Sequence, residues 1–157
     1  MGNPASIRKA TLLDLMPLAK MSETYISEVT TMCNNPISIP TLMRNLAASI
    51  VVDDAYVKVM ELDGKMIGGM WGVLTTLPWS DTLIAQDVII FVHKSHRGLG
   101  NKFIEDWVTW ATSKGAKEVL LSTASGITTD RFIKLMGLKG FKPQGYSFVK
   151  EINNVNE

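Results

Sequence analysis

The chain has 157 residues, 46% of them hydrophobic and 20% charged, the make-up of one globular domain able to bury a core. Lysine and arginine total 16 against 15 acidic residues, a formal charge of +1, which argues against a dedicated nucleic-acid binder or a polybasic membrane binder. A single cysteine, Cys33, and two histidines exclude an internal disulfide framework and leave too few side chains for a Cys- or His-based centre, so no metal is expected. No stretch is apolar for long enough to span a bilayer, and the N-terminus lacks the plan of a secretory signal. The expectation is a soluble cytoplasmic protein that does not engage a membrane.

In chain order, residues 7–10 read as a short strand leading into a helix. Thr11, with Asp14 three residues on, has the form of a capping box, and Leu12, Leu15, Met16 and Ala19 recur as an apolar face. Residues 30–40 are polar and broken by prolines, hence a loop. Cys33 lies in it without a partner that would activate a thiol. A second helix is expected from about residue 41, with Leu42, Leu46 and Ile50 as its stripe.

The period then changes to two. Residues 56–62 alternate, Asp63-Gly64 is a two-residue hairpin turn, and residues 65–74 return as a strand. Gly68, Gly69 and Gly72 predict a bulge or a close backbone approach in it. Leu77-Pro78-Trp79-Ser80-Asp81 is a loop carrying an aromatic ring, and the β-branched stretch 83–92 is a strand interrupted by Gln86-Asp87. After Gly98-Leu99-Gly100 the period is helical, with Phe103, Ile104, Trp107, Val108 and Ala111 on one face and an end near Gly115. A buried strand over 118–123, a short helix over 131–139 stopped by Gly140, and a final hairpin over 141–152 complete the pattern. The fold class is a single mixed α/β (α+β) domain with a mostly antiparallel sheet.

One segment points to chemistry. The strand Ile89-Ile90-Phe91-Val92 runs through His93-Lys94-Ser95-His96 and Arg97-Gly98-Leu99-Gly100 directly into a helix. A glycine turn at a helix start exposes backbone amides, and the helix dipole adds partial positive charge, an arrangement suited to a phosphate or pyrophosphate. A dinucleotide fingerprint would need a glycine where Phe103 stands, and no Walker lysine-serine pair follows. A tight turn that only ends a strand is the other reading of these residues.

The chain resembles the GNAT superfamily of N-acyltransferases, over 1–157 with a core of about 7–152. The resemblance rests on Ile7-Arg8-Lys9-Ala10-Thr11 with Asp14, on Asp63-Gly64-Lys65-Met66-Ile67-Gly68-Gly69, on residues 92–104, and on Leu138-Lys139-Gly140-Phe141-Lys142. The Pro-Trp loop and the His-Arg-Gly turn are similar to small GNAT proteins of bacteria and bacteriophages. The family fold is a twisted mixed sheet flanked by helices, whose fourth and fifth strands splay to admit acetyl-coenzyme A. The resemblance therefore implies pantetheine contacts at the backbones of Phe91, Val92 and His93, and pyrophosphate contacts at Arg97, Gly98, Leu99, Gly100, Asn101 and Lys102. The family motif, Arg or Gln before Gly-x-Gly/Ala, is met in part in either of two registers: with Gly98 and Gly100 as the glycines, Ser95 stands where Arg or Gln is usual, and with Arg97 and Gly100, Lys102 replaces the second glycine.

The implied activity is transfer of an acetyl group from acetyl-coenzyme A to a primary amine, on a small molecule or a protein. Asp87 matches the position where some family members keep an acidic base, and period-two geometry would put Asp87, Ile89 and Phe91 on one face. A carboxylate bonded structurally to a neighbouring loop is the alternative. His93 and His96 are further titratable candidates. Many family members carry a tyrosine four residues before the final Gly-Phe as thiol acid; Met136 stands there, and Tyr146 is the substitute candidate. Trp79 is a substrate-side candidate, because the family contacts acceptors through loops there. The alternative function is a catalytically degenerate module that binds coenzyme A or acts as an interaction or virion-associated protein. A homodimer is left open, and the acceptor is not identified.

Overall fold

The computed structural model describes residues 2–28, 36–122 and 129–152. Five strands, β1 (Ser6–Lys9), β2 (Ala55–Leu62), β3 (Lys65–Thr76), β4 (Leu83–Val92) and β5 (Glu118–Leu120), lie side by side in chain order. The first three ladders are antiparallel and β4–β5 is parallel. Parallel pairing needs a crossover, and α3 (Gly100–Ser113) supplies it. Helices α1 (Leu15–Glu28), α2 (Ile39–Ile50) and α4 (Thr129–Leu138) complete the domain, the mixed sheet with flanking helices that the sequence predicts. Among the described residues no helix is long and apolar enough to cross a membrane.

Each face of the sheet carries its own core. On one face, Tyr56, Met60, Met70 and Ala85 pack against Phe103, Trp107 and Ala111 of α3. On the other, Val57 and Val59 meet Leu18 of α1 with Leu46 and Ile50 of α2. The helix faces expected for α2 and α3 are those buried. The face of α1 is the expected one only in part: Ala19 is buried and Leu15 half-buried against the core, but Leu12 and Met16 are exposed, and Leu18 and Ser22 are buried in their place. The cause is a 3-10 turn over Leu12–Asp14 ahead of the helix, whose tighter winding shifts the phase of everything after it. Helix α2 starts at Ile39, two residues earlier than predicted, because Ser38 caps it through its hydroxyl and Pro40 occupies the first turn. Cys33, residues 30–35 of the predicted loop, and Thr123 at the end of the predicted fifth strand lie outside the described residues.

Asp14 ties the N-terminal strand to its helix. Its carboxylate accepts from the Thr11 backbone N–H (2.8 Å) and from both Arg8 guanidinium nitrogens (2.8 and 2.9 Å), while Arg8 also reaches Glu61 on β2 at 2.8 Å. The Arg8 hydrogen bonds hold the Asp14 carboxyl down at about 2, against an ordinary 3.8. Because the folded value lies below the unfolded one, this stabilisation is complete above pH 3.8 and is lost as pH falls through about 2. Asp14→Asn should therefore lower the unfolding free energy at neutral pH by about 1–2 kcal/mol, with the deficit vanishing near pH 2. The figure is discounted because the Arg8 side chain is 40% exposed. Urea titrations of both proteins across that range measure it.

The Asp63-Gly64 turn forms as predicted, with positive φ of 49° and 75° at its two residues, the twist a tight hairpin requires. The β3 glycines admit close neighbours. A Cβ on Gly68 would stand 2.7 Å from the Phe91 carbonyl oxygen, and one on Gly72 would stand 2.8 Å from the Trp107 indole nitrogen. Gly68→Ala meets backbone that can yield only by moving β4, so a loss of about 1–3 kcal/mol in chemical denaturation is expected.

Two bulges interrupt the ladders. Ile67 is the extra residue of β3 against β2, and Val88 is the extra residue of β4 against β3, since Trp71 pairs with Ile89 and Gly72 with Asp87. The predicted strand over 118–123 is shorter, three residues and only half-buried. The predicted hairpin over 141–152 does not form: this stretch has no strand, and all of it but Phe141 is exposed. Pro143 removes one ladder donor, and Gly145 holds φ at 145°, a conformation rare for residues with side chains.

Candidate active site

The bulge at Val88 builds the site. Strand β5 pairs with β4 only at Ile84, Ala85 and Gln86; from Asp87 onward that side of β4 has no ladder among the described residues. This unpaired edge from Asp87 to Val92 is the slot of the candidate site. The His93 N–H donates to the Ile67 carbonyl at 2.8 Å, which makes Val92 and Gly68 a non-hydrogen-bonded pair of the antiparallel ladder. By the alternation of that ladder, Phe91 and His93 direct their backbone groups to β3, whereas Ile90 and Val92 direct theirs into the slot. Of the backbone groups expected at this edge, those of Val92 face it, those of Phe91 and His93 are engaged with β3, and those of Ile90 face it as well.

The same bulge corrects the expected facing of Asp87. An extra residue shifts a period-two pattern by one. Asp87 lies opposite Gly72 and shares its face with Ile90 and Val92, on the α3 side, while Ile89 and Phe91 turn to the α1–α2 side. There Leu18, Leu46, Trp71, Ile89 and Phe91 line a small apolar pocket.

At the start of the slot Asp87 bridges the two strands. Its carboxylate accepts from the Ser122 N–H at 3.1 Å and from the Ser122 hydroxyl at 3.4 Å. Burial pushes its carboxyl up to about 6 from an ordinary 3.8, and the two Ser122 bonds oppose the shift. The bond to a neighbouring segment that one sequence reading expected is thus present, and burial also raises the proton affinity of the carboxylate.

At the other end of the slot the turn presents a cradle of donors. Gly98 holds φ at +97°, a left-handed conformation that only glycine adopts without strain. The Leu99 N–H donates to the His96 carbonyl and the Lys102 N–H to Leu99, so those two amides are committed to the turn. The amides of Arg97, Gly98, Gly100 and Asn101 have no partner among the described residues. Four of the six amides expected to meet a pyrophosphate are therefore available. The Lys102 ammonium reaches the Ala5 carbonyl at 3.5 Å, and the Arg97 side chain is exposed without a described partner. His93 caps the short turn over Lys94–His96, its Nδ1 2.6 Å from the Ser95 hydroxyl, and its ring stands 6.3 Å from that of His96.

Two candidates lie apart from this constellation. Tyr146 is 93% exposed in the segment after α4, and Met136, at the position of the family tyrosine, is buried in the core. No phenol is brought to the slot by either position. Trp79 is 80% exposed and lies before the start of β4, the end opposite the glycine turn. Sequence reasoning missed Ser122 and Ile90. The polar pair Gln86-Asp87 within an apolar strand is the one trace of the break in pairing that makes them matter.

No protein-family model matches the chain, and no curated protein sequence matches it. Solved structures do match, over nearly its whole length. A ribosomal-protein-alanine N-acetyltransferase from Brucella melitensis biovar Abortus 2308 is similar with a TM-score of 0.69 at 16% identity, covering 96% of this chain and 100% of that one. An aminoglycoside acetyltransferase from an uncultured soil metagenomic sample, in complex with sisomicin, gives 0.62 at 21%, covering 98% and 97%. A transcriptional regulator from Bacillus halodurans C-125 gives 0.71 at 15%, covering 95% and 100%. The fold is thus the GNAT fold expected from the sequence, shared with solved acetyltransferases.

Proposed function

We propose that this protein is an N-acetyltransferase that moves an acetyl group from acetyl-coenzyme A to a primary amine on a small molecule or a protein. The observation that carries the reading is the slot itself: a strand edge freed by the Val88 bulge, four unpaired amides at one end of it, and a carboxylate at the other. The cradle fits the co-substrate. Ile90 and Val92 present backbone donors and acceptors suited to the amides of a pantetheine arm, and the turn from Arg97 to Asn101 suits a pyrophosphate. Acetyl-coenzyme A supplies the activated acyl group.

The chain supplies the rest. Asp87, with its carboxyl near 6, is mostly ionised at neutral pH and can take the proton an attacking amine must lose. The slot-facing N–H groups are preorganised donors for negative charge developing on a carbonyl oxygen. For the departing thiol no side chain is assigned. A thiol ionises near 8.5 by analogy with cysteine, so it can leave as the thiolate.

Met136 in place of a tyrosine, and the irregular glycine loop, favour a second reading, a module that binds coenzyme A without turnover. One experiment separates the two. Acetyl-coenzyme A is offered with a panel of amines, including peptides, polyamines and aminosugars, and thiol release is followed. Release with any amine supports the transferase; coenzyme A binding without release across the panel supports the module. Absence of binding overturns both.

A further inference from the structure

Ser122 joins the desolvated carboxylate of Asp87 to solvent. Burial raises the Asp87 carboxyl, whereas Ser122, just beyond β5, is exposed. The Ser122 N–H stands 3.1 Å from one carboxylate oxygen and the Ser122 hydroxyl 3.4 Å from the other. The backbone N–H can only donate. The hydroxyl can donate to an ionised carboxylate or accept from a protonated one, so this contact outlasts a change in proton occupancy. Among the described residues, the elements around the pair bring no charge to it. Strand β3 presents Gly72 opposite Asp87, and α3 packs Phe103, Trp107 and Ala111 on that face. The acids of α3 are engaged elsewhere, Asp106 by Lys58 and Glu105 by Lys139, and Glu118 of β5 lies opposite Ile84.

The slot decides which part of a bound thioester this hydroxyl can meet. An arm that starts at the turn from Arg97 to Asn101 and runs along Val92 and then Ile90 ends toward Asp87 and Ser122. We propose, on the transferase reading above, that the Ser122 hydroxyl is the acid for the departing thiol, with Asp87 restoring its proton. As the C–N bond forms, the amine gives one proton to the Asp87 carboxylate. As the C–S bond breaks, its electron pair stays on sulfur and the proton of the Ser122 hydroxyl moves to that sulfur. The proton on Asp87 then passes to the Ser122 Oγ. Both side chains end as they began, and no further reactant is needed. The strength of the pair as an acid is that of Asp87. A carboxyl that ionises at about pH 6 is a stronger acid than a thiol that ionises at about 8.5, so the transfer runs downhill. The hydroxyl thus takes the place that Met136, which has no proton to give, leaves open.

Ser122→Ala and Ser122→Thr test this, read by thiol release and by carbon-13 NMR of the Asp87 carboxyl in the unliganded protein. The position is exposed, so both variants should fold. The Ala variant should keep its coenzyme A affinity and lose about tenfold to a hundredfold in turnover. That is the low end for acid catalysis, because a thiolate can also leave unaided. Its Asp87 carboxyl should titrate above the wild-type value, since a donor to the ionised form is gone. The Thr variant, which keeps the hydroxyl, should recover most of both. Wild-type turnover in the Ala variant, even with the titration moved, would leave the hydroxyl as a brace of the carboxylate and overturn the assignment. An Asp87 titration that does not move, or a Thr variant as slow as the Ala variant, overturns it equally. If the wild type releases no thiol with any amine, the transferase reading and this assignment fall together.

Discussion

Gly100→Glu is expected to abolish coenzyme A binding while leaving the fold intact. Gly100 opens α3, and its amide is one of the four unpaired donors of the turn. A Cβ there meets nothing closer than the Val92 Cγ2 at 3.9 Å, so the side chain fits. A carboxylate at a helix N-terminus is favourable to the helix itself, and the melting temperature should hold or rise slightly. The same carboxylate competes with a pyrophosphate for the amides and repels its charge, for a loss of about a hundredfold or more in affinity by calorimetry. Gly100→Ala, which adds bulk without charge, should keep most of the binding. Equal affinity in wild type and the Glu variant would mean that coenzyme A does not use this turn. Gly98 gives a less selective test, because any side chain at φ +97° strains the turn as well.

Asp87→Asn is expected to reduce acetyl transfer by about a hundredfold or more with coenzyme A affinity unchanged. The amide keeps the size of the carboxylate and can still accept from Ser122, but it cannot take a proton. Wild-type turnover should rise with pH through about 6, where Asp87 ionises, and then level. The variant should lose that inflection and recover in part at high pH, where the free amine is already neutral.

Its stability runs in a definite direction. The folded carboxyl titrates above its unfolded value of 3.8, so ionisation costs the fold stability above pH 6, and the cost is absent below pH 3.8. The Asn variant should melt at or above the wild-type temperature at pH 8, with the difference closing in acid. Wild-type turnover in the variant would remove Asp87 from the reaction. A clear fall in melting temperature would assign it to holding β4 and β5 together through Ser122.

Much of this architecture is written in local patterns. Asp63-Gly64 specifies a hairpin wherever it stands, because its backbone conformation is a property of two residues. The stripe Phe103, Ile104, Trp107, Ala111 follows from helical period alone, and so does the order of strands and helices that leads to the GNAT fold. The glycine turn at the head of α3 and the acid in β4 are legible for the same reason. Each is a short run of residue types with a fixed geometric meaning.

Tertiary structure alone decided what those residues face. The bulge at Val88 arises from the fit of β4 against β3, not from any preference of valine, and it moves Asp87 to the α3 face and hands the slot to Ile90 and Val92. Ser122 becomes a partner of Asp87 only because the β4–β5 ladder ends just there, a contact 35 residues apart in the chain. Tyr146, Phe148 and Ile152 have strand spacing, but a strand exists only where an edge receives it. Period specifies which side chains can share a face; pairing specifies which face, and against whom.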